Sequence, residues 1–213
     1  MNIHYRIYGG ISFYQRKEIK DFLAYLRVIV NPNDEESLKR IINYPARGIG
    51  KTTVERAVLF ANENNLSLWD TLRNSAQSGL KGASAGAIKD FVLMIEMFAS
   101  EMAKKDAYDL AVLVGKHTGL MKELFSDKTT EGLVRYENVQ ELMNAIKEFS
   151  MTPTEDGELL DKGLGSYLQQ ITLLTDADDD EGDSNVVKLM TIHAATGLEL
   201  PAVPVVGLEE NLF

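Results

Sequence analysis

The sequence contains no cysteine, and its only histidines are His4, His117 and His193, which stand far apart. The absence of cysteine excludes disulfide bonds and thiolate metal sites, and the histidines lack the spacing of metal ligands. No apolar run is long enough to span a membrane, and no basic segment followed by an apolar one stands at the start. We therefore expect a cytoplasmic protein without a metal centre, a secretion signal or a membrane partner.

The charge is acidic overall but uneven along the chain. The formal net charge is -10, yet residues 1–60 carry ten Lys and Arg against six Asp and Glu, a local net of +4 that leaves -14 for the remainder. Because Lys and Arg displace counterions from phosphates, this basic first part has a composition suited to nucleic acid. An acidic run within residues 176–185 is expected to form a solvated loop.

Hydrophobic spacing predicts a mainly α-helical protein with short strands near both ends. A long helix is predicted to end at Asn31-Pro32, because proline cannot continue it, and a second helix to begin after its cap Asp34. Strands are predicted at residues 4–8, 186–190 and 203–206, and further helices at 53–62, 68–72, 88–102, 106–125, 139–151 and 167–174. Since lone strands need partners, we expect the helices to interrupt a sheet domain, and the chain to be part of a larger protein.

A Gly-Lys-Thr sequence at residues 50–52 matches the end of the Walker A signature, in which loop amides and a lysine bind phosphates. The first glycine of that signature would fall on Pro45. The preceding segment also has a helical pattern, whereas a strand should lead into such a loop. A self-contained ATP site is therefore not expected.

The same segment suits a turn between two helices. Its glycines, the amides of the next helix, Arg47 and Lys51 could together bind a DNA phosphate without reading any base. The simpler alternative is that the glycines only shape a turn and that Thr52 or Thr53 caps the next helix. Spacing alone favours this alternative.

Two further glycine turns lead into helices. One lies at residues 79–86 with Lys81 nearby, and the other includes Thr118 and Gly119. Lysines accompany both turns, as expected for phosphate binding. The three turns together predict one shared surface that faces DNA.

Segments at both ends closely resemble UvrD/Rep/PcrA-type superfamily 1 DNA helicases. The first resembles motif IVa and runs Tyr5-Arg6-Ile7-Tyr8-Gly9-Gly10-Ile11-Ser12-Phe13-Tyr14-Gln15-Arg16-Lys17-Glu18. The downstream order also agrees, with Asn31-Pro32, Arg40-Ile41-Ile42-Asn43 and Arg47-Gly48-Ile49-Gly50. The last resembles motif V and comprises Leu189-Met190-Thr191-Ile192-His193-Ala194-Ala195 with Gly197-Leu198-Glu199.

This resemblance implies a 3′-to-5′ ATP-dependent DNA helicase with two RecA-like α/β motor domains, each carrying an inserted subdomain. Residues 1–30 and 186–213 would belong to the second motor domain (2A), residues 31–175 to its helical insert (2B), and residues 176–185 to the acidic loop. In such helicases the Gly-Ile-Gly turn binds the duplex ahead of the fork. Together with the turn chemistry, this gives as duplex-contacting candidates Arg47, Gly48, Ile49, Gly50, Lys51, Thr52, Thr53, Lys81, Thr118 and Gly119.

The motif V resemblance implies that Thr191 and His193 contact single-stranded DNA, and that Gly197 and Glu199 contact the nucleotide. Thr196 departs from the family pattern, which has lysine there, so motif V is expected to be impaired. Without the resemblance, His193 would equally suit a packed or capping role.

The sequence holds no true Walker A, no Asp-Glu pair after a hydrophobic strand and no arginine-finger segment, so the chain alone should not hydrolyse ATP. ATP and Mg²⁺ are expected in the full-length helicase only. The expected partners are DNA at a duplex/single-strand junction, the missing motor domains and repair proteins. A helical protein-interaction or autoregulatory module is the alternative, favoured by the net acidity and the amphipathic helices.

Overall fold

The computed structural model describes residues 5–8, 13–75, 78, 82–152, 161–179, 187–190 and 203–205. These residues are mainly helical, as predicted. The helices are α1 (Lys17–Val30), α2 (Glu35–Ile41), α3 (Lys51–Glu63), α4 (Leu68–Arg73), α5 (Ala83–Glu101), α6 (Ala107–His117), α7 (Leu120–Ser126), α8 (Thr130–Met151) and α9 (Leu164–Asp179). Within this described part, no helix is both long and apolar enough to cross a membrane.

The chain divides into two compact units. One contains the strands β1 (Tyr5–Tyr8) and β2 (Val187–Met190), which pair in parallel from Tyr5 opposite Val187 to Tyr8 opposite Met190. The other unit, Phe13–Asp180, contains all the helices above. The assignment of strands and helices to motor and inserted domains remains a prediction.

Helix α1 lies at the centre of the helical unit. Ten of its fourteen residues are buried, and it packs against α2, α5, α6, α8 and α9. Asn31 ends it before Pro32, as predicted. The Asp34 side chain then accepts a hydrogen bond from the Ser37 amide at 3.0 Å, which confirms Asp34 as the cap of α2.

The buried polar groups of α1 are paired with other helices. Arg40 of α2 donates to the Asp21 carboxylate at 2.6 Å. Burial raises the pKa of Asp21 despite this partner. Asn138 of α8 donates to the Glu18 carboxylate at 2.6 Å. These contacts fix the neighbours of α1 around it.

Two sequence expectations near the end of the chain were wrong. The acidic loop predicted over residues 176–185 is wrong for residues 176–179, which belong to α9, because no helix-breaking residue interrupts the helix there. Residues 180–185 of that loop lie outside the described residues. Residues 203–205 of the last predicted strand carry no strand. Pro204 accounts for this, since proline has no N–H to donate to a neighbouring strand.

Candidate nucleic-acid interface

The segment between α2 and α3, residues 42–50, forms a turn that begins α3 with Gly50 as its N-cap. The Gly50 carbonyl oxygen accepts from the amides of Thr53 at 3.0 Å and Val54 at 3.2 Å. The part of the simpler alternative in which Thr52 or Thr53 caps α3 is therefore wrong. Both threonines lie within the first helical turn, because α3 begins at Lys51.

Asn43 and Ile49 fix the conformation of this α2–α3 turn. The Asn43 side-chain oxygen accepts hydrogen bonds from the amides of Arg47 at 2.9 Å and Ile49 at 3.0 Å. The Ile49 side chain is 1% exposed and belongs to the hydrophobic core. Gly48 and Gly50, on either side of Ile49, are exposed. The buried isoleucine thus holds two glycines at the surface.

The two glycines have different backbone conformations. Gly48 has φ +79°, which favours glycine because other L-residues rarely adopt it. Gly50 has φ -70°, which any residue can adopt. A Cβ atom added at either position would meet no atom within 4 Å. Internal packing therefore does not require glycine at position 50.

The Arg47 side chain turns into the molecule. Its guanidinium donates to four oxygen atoms, which are Ile41 O at 3.1 Å, Pro45 O at 3.0 Å, Thr118 O at 3.3 Å and Tyr25 Oη at 2.6 Å. A guanidinium with these partners is not presented to an external phosphate. The expectation that Arg47 contacts DNA directly is therefore not supported by its geometry.

Tyr25 of α1 lies beneath the turn. Its side chain is fully buried, and this burial raises its pKa to about 12 although the Arg47 charge acts in the opposite direction. The neutral hydroxyl donates to the Tyr44 carbonyl oxygen while it accepts from Arg47. The Arg47 guanidinium also lies 5.7 Å from the Tyr25 ring centroid and 5.5 Å from that of Phe91.

Lys51 has the opposite environment from Arg47. Its side chain is 90% exposed, and its partner Glu55 lies one helical turn away at 3.8 Å. Such an exposed pair contributes about 0–1 kcal/mol, so it competes weakly with another anion. Lys51 and the first amides of α3 are thus available to a phosphate.

The other two glycine turns approach the α2–α3 turn. Ser84, in the first turn of α5, donates a long hydrogen bond of 3.5 Å to the Gly48 carbonyl oxygen. Gly82 caps α5 with φ +80°, and Gly119 caps α7 with φ +79°. The bond from Arg47 to Thr118 joins the third turn to the first. The predicted turns therefore lie close together, while Lys81 lies outside the described residues.

The Thr118 side chain is only 6% exposed, and its hydroxyl oxygen accepts from the Leu120 amide at 3.3 Å. This side chain shapes the start of α7 and faces inward. Gly119 is partly exposed and remains a candidate contact.

The Gly-Lys-Thr sequence does not form a nucleotide-binding loop of the Walker type. Helix α2 precedes the turn, whereas such a loop is preceded by a strand. The helix predicted before the turn is therefore present. The predicted motif V contacts Thr191, His193, Gly197 and Glu199 lie outside the described residues.

Two residues important for the turn escaped the sequence analysis. Asn43 had a usable signal, because asparagine side chains often accept hydrogen bonds from nearby turn amides. Tyr25 had none, since its position on a buried helical face does not indicate where its hydroxyl points.

Comparison with known proteins gives a match over the whole chain. Residues 1–213 match the model of the UvrD-like helicase C-terminal domain. The ATP-dependent DNA helicase PcrA of Staphylococcus aureus (strain NCTC 8325 / PS 47) is 37% identical over 213 residues, which cover 100% of this chain and 28% of the relative. DNA helicase II of Escherichia coli (strain K12) is 38% identical over 212 residues, which cover 98% of this chain and 29% of the relative. The chain thus spans less than a third of the length of these relatives.

Proposed function

The chain belongs to the UvrD-like helicase C-terminal domain family, and from this membership we propose that it is the duplex-DNA-binding part of a 3′-to-5′ ATP-dependent DNA helicase. The names of its relatives describe DNA helicases, one of them ATP-dependent. In this proposal residues 31–175, which contain α2 to α8 and most of α9, form the inserted 2B subdomain. Residues 1–30 and 186–213, which contain β1, α1 and β2, belong to the RecA-like 2A motor domain.

Gly50 supports this proposal most strongly. Its backbone conformation does not need glycine, and a Cβ atom added there would meet no other atom within 4 Å. Serine, threonine, aspartate or asparagine would cap α3 as well or better. Close approach of a DNA backbone would explain why position 50 lacks a side chain, because a Cβ atom there would keep the DNA backbone away from the turn.

The chemistry of the turn suits a phosphate backbone. The N-terminus of α3 carries a partial positive charge and unpaired amides, and exposed Lys51 adds a full charge. Neither group reads a base edge, so binding should be independent of sequence and should weaken as salt increases. A helicase that moves along any sequence needs this kind of contact.

ATP and Mg²⁺ would be bound in the parent helicase. The α2–α3 turn does not fit a nucleotide, since it follows a helix. Among the described residues, no group of three or more acidic or His side chains gathers to hold a metal ion. We therefore expect no ATP hydrolysis by this chain alone. Thr191 and His193 are proposed to contact single-stranded DNA in the parent, and Gly197 and Glu199 the nucleotide.

The proposal can be tested by fluorescence anisotropy with a labelled hairpin duplex at two salt concentrations. Binding should weaken with salt and should not depend on duplex sequence. Lys51→Ala should make the slope of log affinity against log salt less negative by about 0.9, which corresponds to the loss of one phosphate contact. Affinity that is indifferent to salt, or no binding at low salt, would contradict the proposal.

A second candidate function is protein binding by helices α7 and α8. Phe125 is 58% exposed and stacks edge-on with Tyr136 at 5.5 Å between ring centroids, and Leu133, one helical turn earlier, is 47% exposed. Exposed Glu137 and Glu141 lie on the same side of α8 as Leu133. The Lys128 ammonium lies 3.5 Å from the Phe125 ring centroid, so charges of both signs border this apolar surface. An exposed apolar surface bordered in this way suits a protein partner.

A pull-down with candidate repair proteins, combined with the duplex-binding measurement, can assign the two functions to separate surfaces. Leu133→Glu should abolish capture of such a partner and leave duplex binding intact. Gly50→Asp should have the reverse effect. Loss of both activities in either variant would contradict separate surfaces.

A further inference from the structure

We propose that Arg47 is a positioning residue for the duplex-binding turn and does not contact DNA. This inference rests on the proposed function of the turn. Arg47 carries a full positive charge immediately before Gly48, a position where a direct phosphate contact would be expected from the sequence. Its geometry assigns it another role.

The Arg47 guanidinium joins three parts of the helical unit. Ile41 and Pro45 provide carbonyl oxygens from the end of α2 and from the turn itself. Tyr25 provides its hydroxyl from α1, and Thr118 provides its carbonyl oxygen from the start of the third glycine turn, 71 residues away. One side chain thus holds the first turn against the central helix and against the third turn.

Only arginine suits this arrangement. Its planar group has five N–H donors in fixed directions, which can serve four separate acceptors at once. It also lies close to the faces of Tyr25 and Phe91, where an arginine interacts well with aromatic rings. A lysine ammonium keeps the charge, but it has three donors on a compact centre and cannot reproduce these contacts.

The position of Gly48 and Gly50 depends on these contacts. Asn43 and Ile49 hold the amide side of the turn, while the Arg47 side chain holds its carbonyl side through Pro45 and Ile41. Without Arg47, residues 45–48 lose their link to α1 and to Thr118. Lys51 would keep its place, because it lies on α3, where Ala57 and Ala61 are buried.

The test compares duplex affinity and its salt dependence among five variants of this chain, Arg47→Lys, Arg47→Gln, Tyr25→Phe, Tyr167→Phe and Lys51→Ala. Arg47→Lys and Arg47→Gln should lose affinity equally, by about tenfold each, with the salt slope of the unchanged protein, because the bonds to a charged group are lost while no phosphate contact is. Lys51→Ala should make that slope less negative by about 0.9.

Tyr25→Phe separates positioning from direct contact. Tyr25 is fully buried and cannot touch DNA, yet its hydroxyl accepts the shortest Arg47 bond, at 2.6 Å. The variant should lose about tenfold in affinity with an unchanged slope. Tyr167→Phe is the matched control, a buried tyrosine of α9 whose hydroxyl has no partner among the described residues, and it should bind like the unchanged protein.

Specific results would overturn the inference. If Arg47→Lys binds within twofold of the unchanged protein and the salt slope of Arg47→Gln is less negative by about 0.9, Arg47 is a direct phosphate contact. Normal affinity of Tyr25→Phe would also contradict it. Thermal unfolding of each variant checks that the helical unit is folded, and if the Arg47 variants unfold, Tyr25→Phe decides. Failure of the unchanged protein to bind any duplex would instead refute the proposed function.

Discussion

The α2–α3 turn and the start of α8 both contain glycine, but the surroundings of the glycines differ. A Cβ atom added at Gly48 or Gly50 would meet no atom within 4 Å. A Cβ atom added at Gly132, in the first turn of α8, would lie 2.3 Å from the Asp127 Cγ atom and 2.6 Å from the Asp127 carbonyl oxygen. Gly132 is buried, whereas Gly48 and Gly50 are exposed.

This difference separates two uses of glycine. Gly132 allows another part of the same chain to approach, so its replacement should affect stability. Gly50 faces outward without internal need, so its replacement should affect an external ligand. The sequence alone does not distinguish these two roles, because it shows glycine at both positions. The predictions below test this separation by measuring stability and DNA affinity on the same variants.

The largest expected effect is on duplex binding by the double variant Gly48→Asp, Gly50→Asp. Two carboxylates placed beside DNA phosphates add repulsion and block close approach, so affinity should fall on the order of 100-fold, ~2.7 kcal/mol. Aspartate is chosen because it tolerates the left-handed conformation of Gly48 better than most residues. Fluorescence anisotropy with a hairpin duplex measures the change.

The matched control is Gly48→Asn, Gly50→Asn, which adds side chains of nearly the same shape without charge. It should retain more affinity than the aspartate pair, and the difference measures the repulsion. If the aspartate pair binds within twofold of the unchanged protein, the turn is not the DNA contact. Both pairs should unfold at similar temperatures.

The next effect is on stability and concerns Gly132→Ala. Because the added methyl group would overlap both the side chain and the backbone of Asp127, the free energy of unfolding should fall by about 1–3 kcal/mol. Asp127 cannot easily move aside, since its carboxylate accepts two hydrogen bonds from Thr129, at 2.7 and 3.1 Å. Urea denaturation measures the loss, and duplex affinity should stay unchanged.

Gly86→Ala provides the opposite control within α5. No atom lies within 4 Å of its added Cβ atom, so alanine should stabilise the helix by about 0.5–1 kcal/mol. Equal stability of the two alanine variants would show that the close approach to Asp127 does not constrain Gly132.

The helices of this protein follow from local sequence signals. The apolar face of α1, its end before Pro32 and the Asp34 cap were all predicted, because each depends on residues within a few positions. The acidic end of α9 was assigned wrongly for a related reason. Composition indicated solvation there, yet exposed residues can still be helical.

The candidate site was only partly predictable. Arg47 and Lys51 have the same charge and stand four residues apart, yet one is internally bonded and the other is 90% exposed. Their difference depends on Tyr25 and Thr118, which lie 22 and 71 residues from Arg47 along the chain. No local pattern contains that information, because Tyr25 and Thr118 meet Arg47 only when the helices pack.

A smaller effect distinguishes the tyrosine beneath the turn from one that packs on α8. The Tyr167 and Phe149 ring centroids lie 5.3 Å apart. The buried Tyr167 hydroxyl has no hydrogen-bond partner among the described residues. Removal of this hydroxyl relieves its desolvation, so Tyr167→Phe should raise the free energy of unfolding by up to about 1 kcal/mol. Tyr25→Phe should lower it, because that hydroxyl is bonded to Tyr44 and Arg47. Urea denaturation measures both changes. If the two variants changed the free energy of unfolding in the same direction, this contrast would be contradicted.

The smallest expected effect concerns Gly50→Ser, which should change stability and duplex affinity in opposite directions. Serine is the better N-cap by a few tenths of a kcal/mol, so the variant should be slightly more stable. Its side chain should nevertheless hold the DNA backbone away and lower duplex affinity about threefold, within the range of one lost hydrogen bond. The reverse control is Ser67→Gly, which removes a cap bonded to the Asp70 amide at 3.0 Å and should lower stability without changing DNA affinity. If Gly50→Ser gained stability and kept its affinity, the glycine would serve no external ligand, and its distinction from Gly132 would be lost.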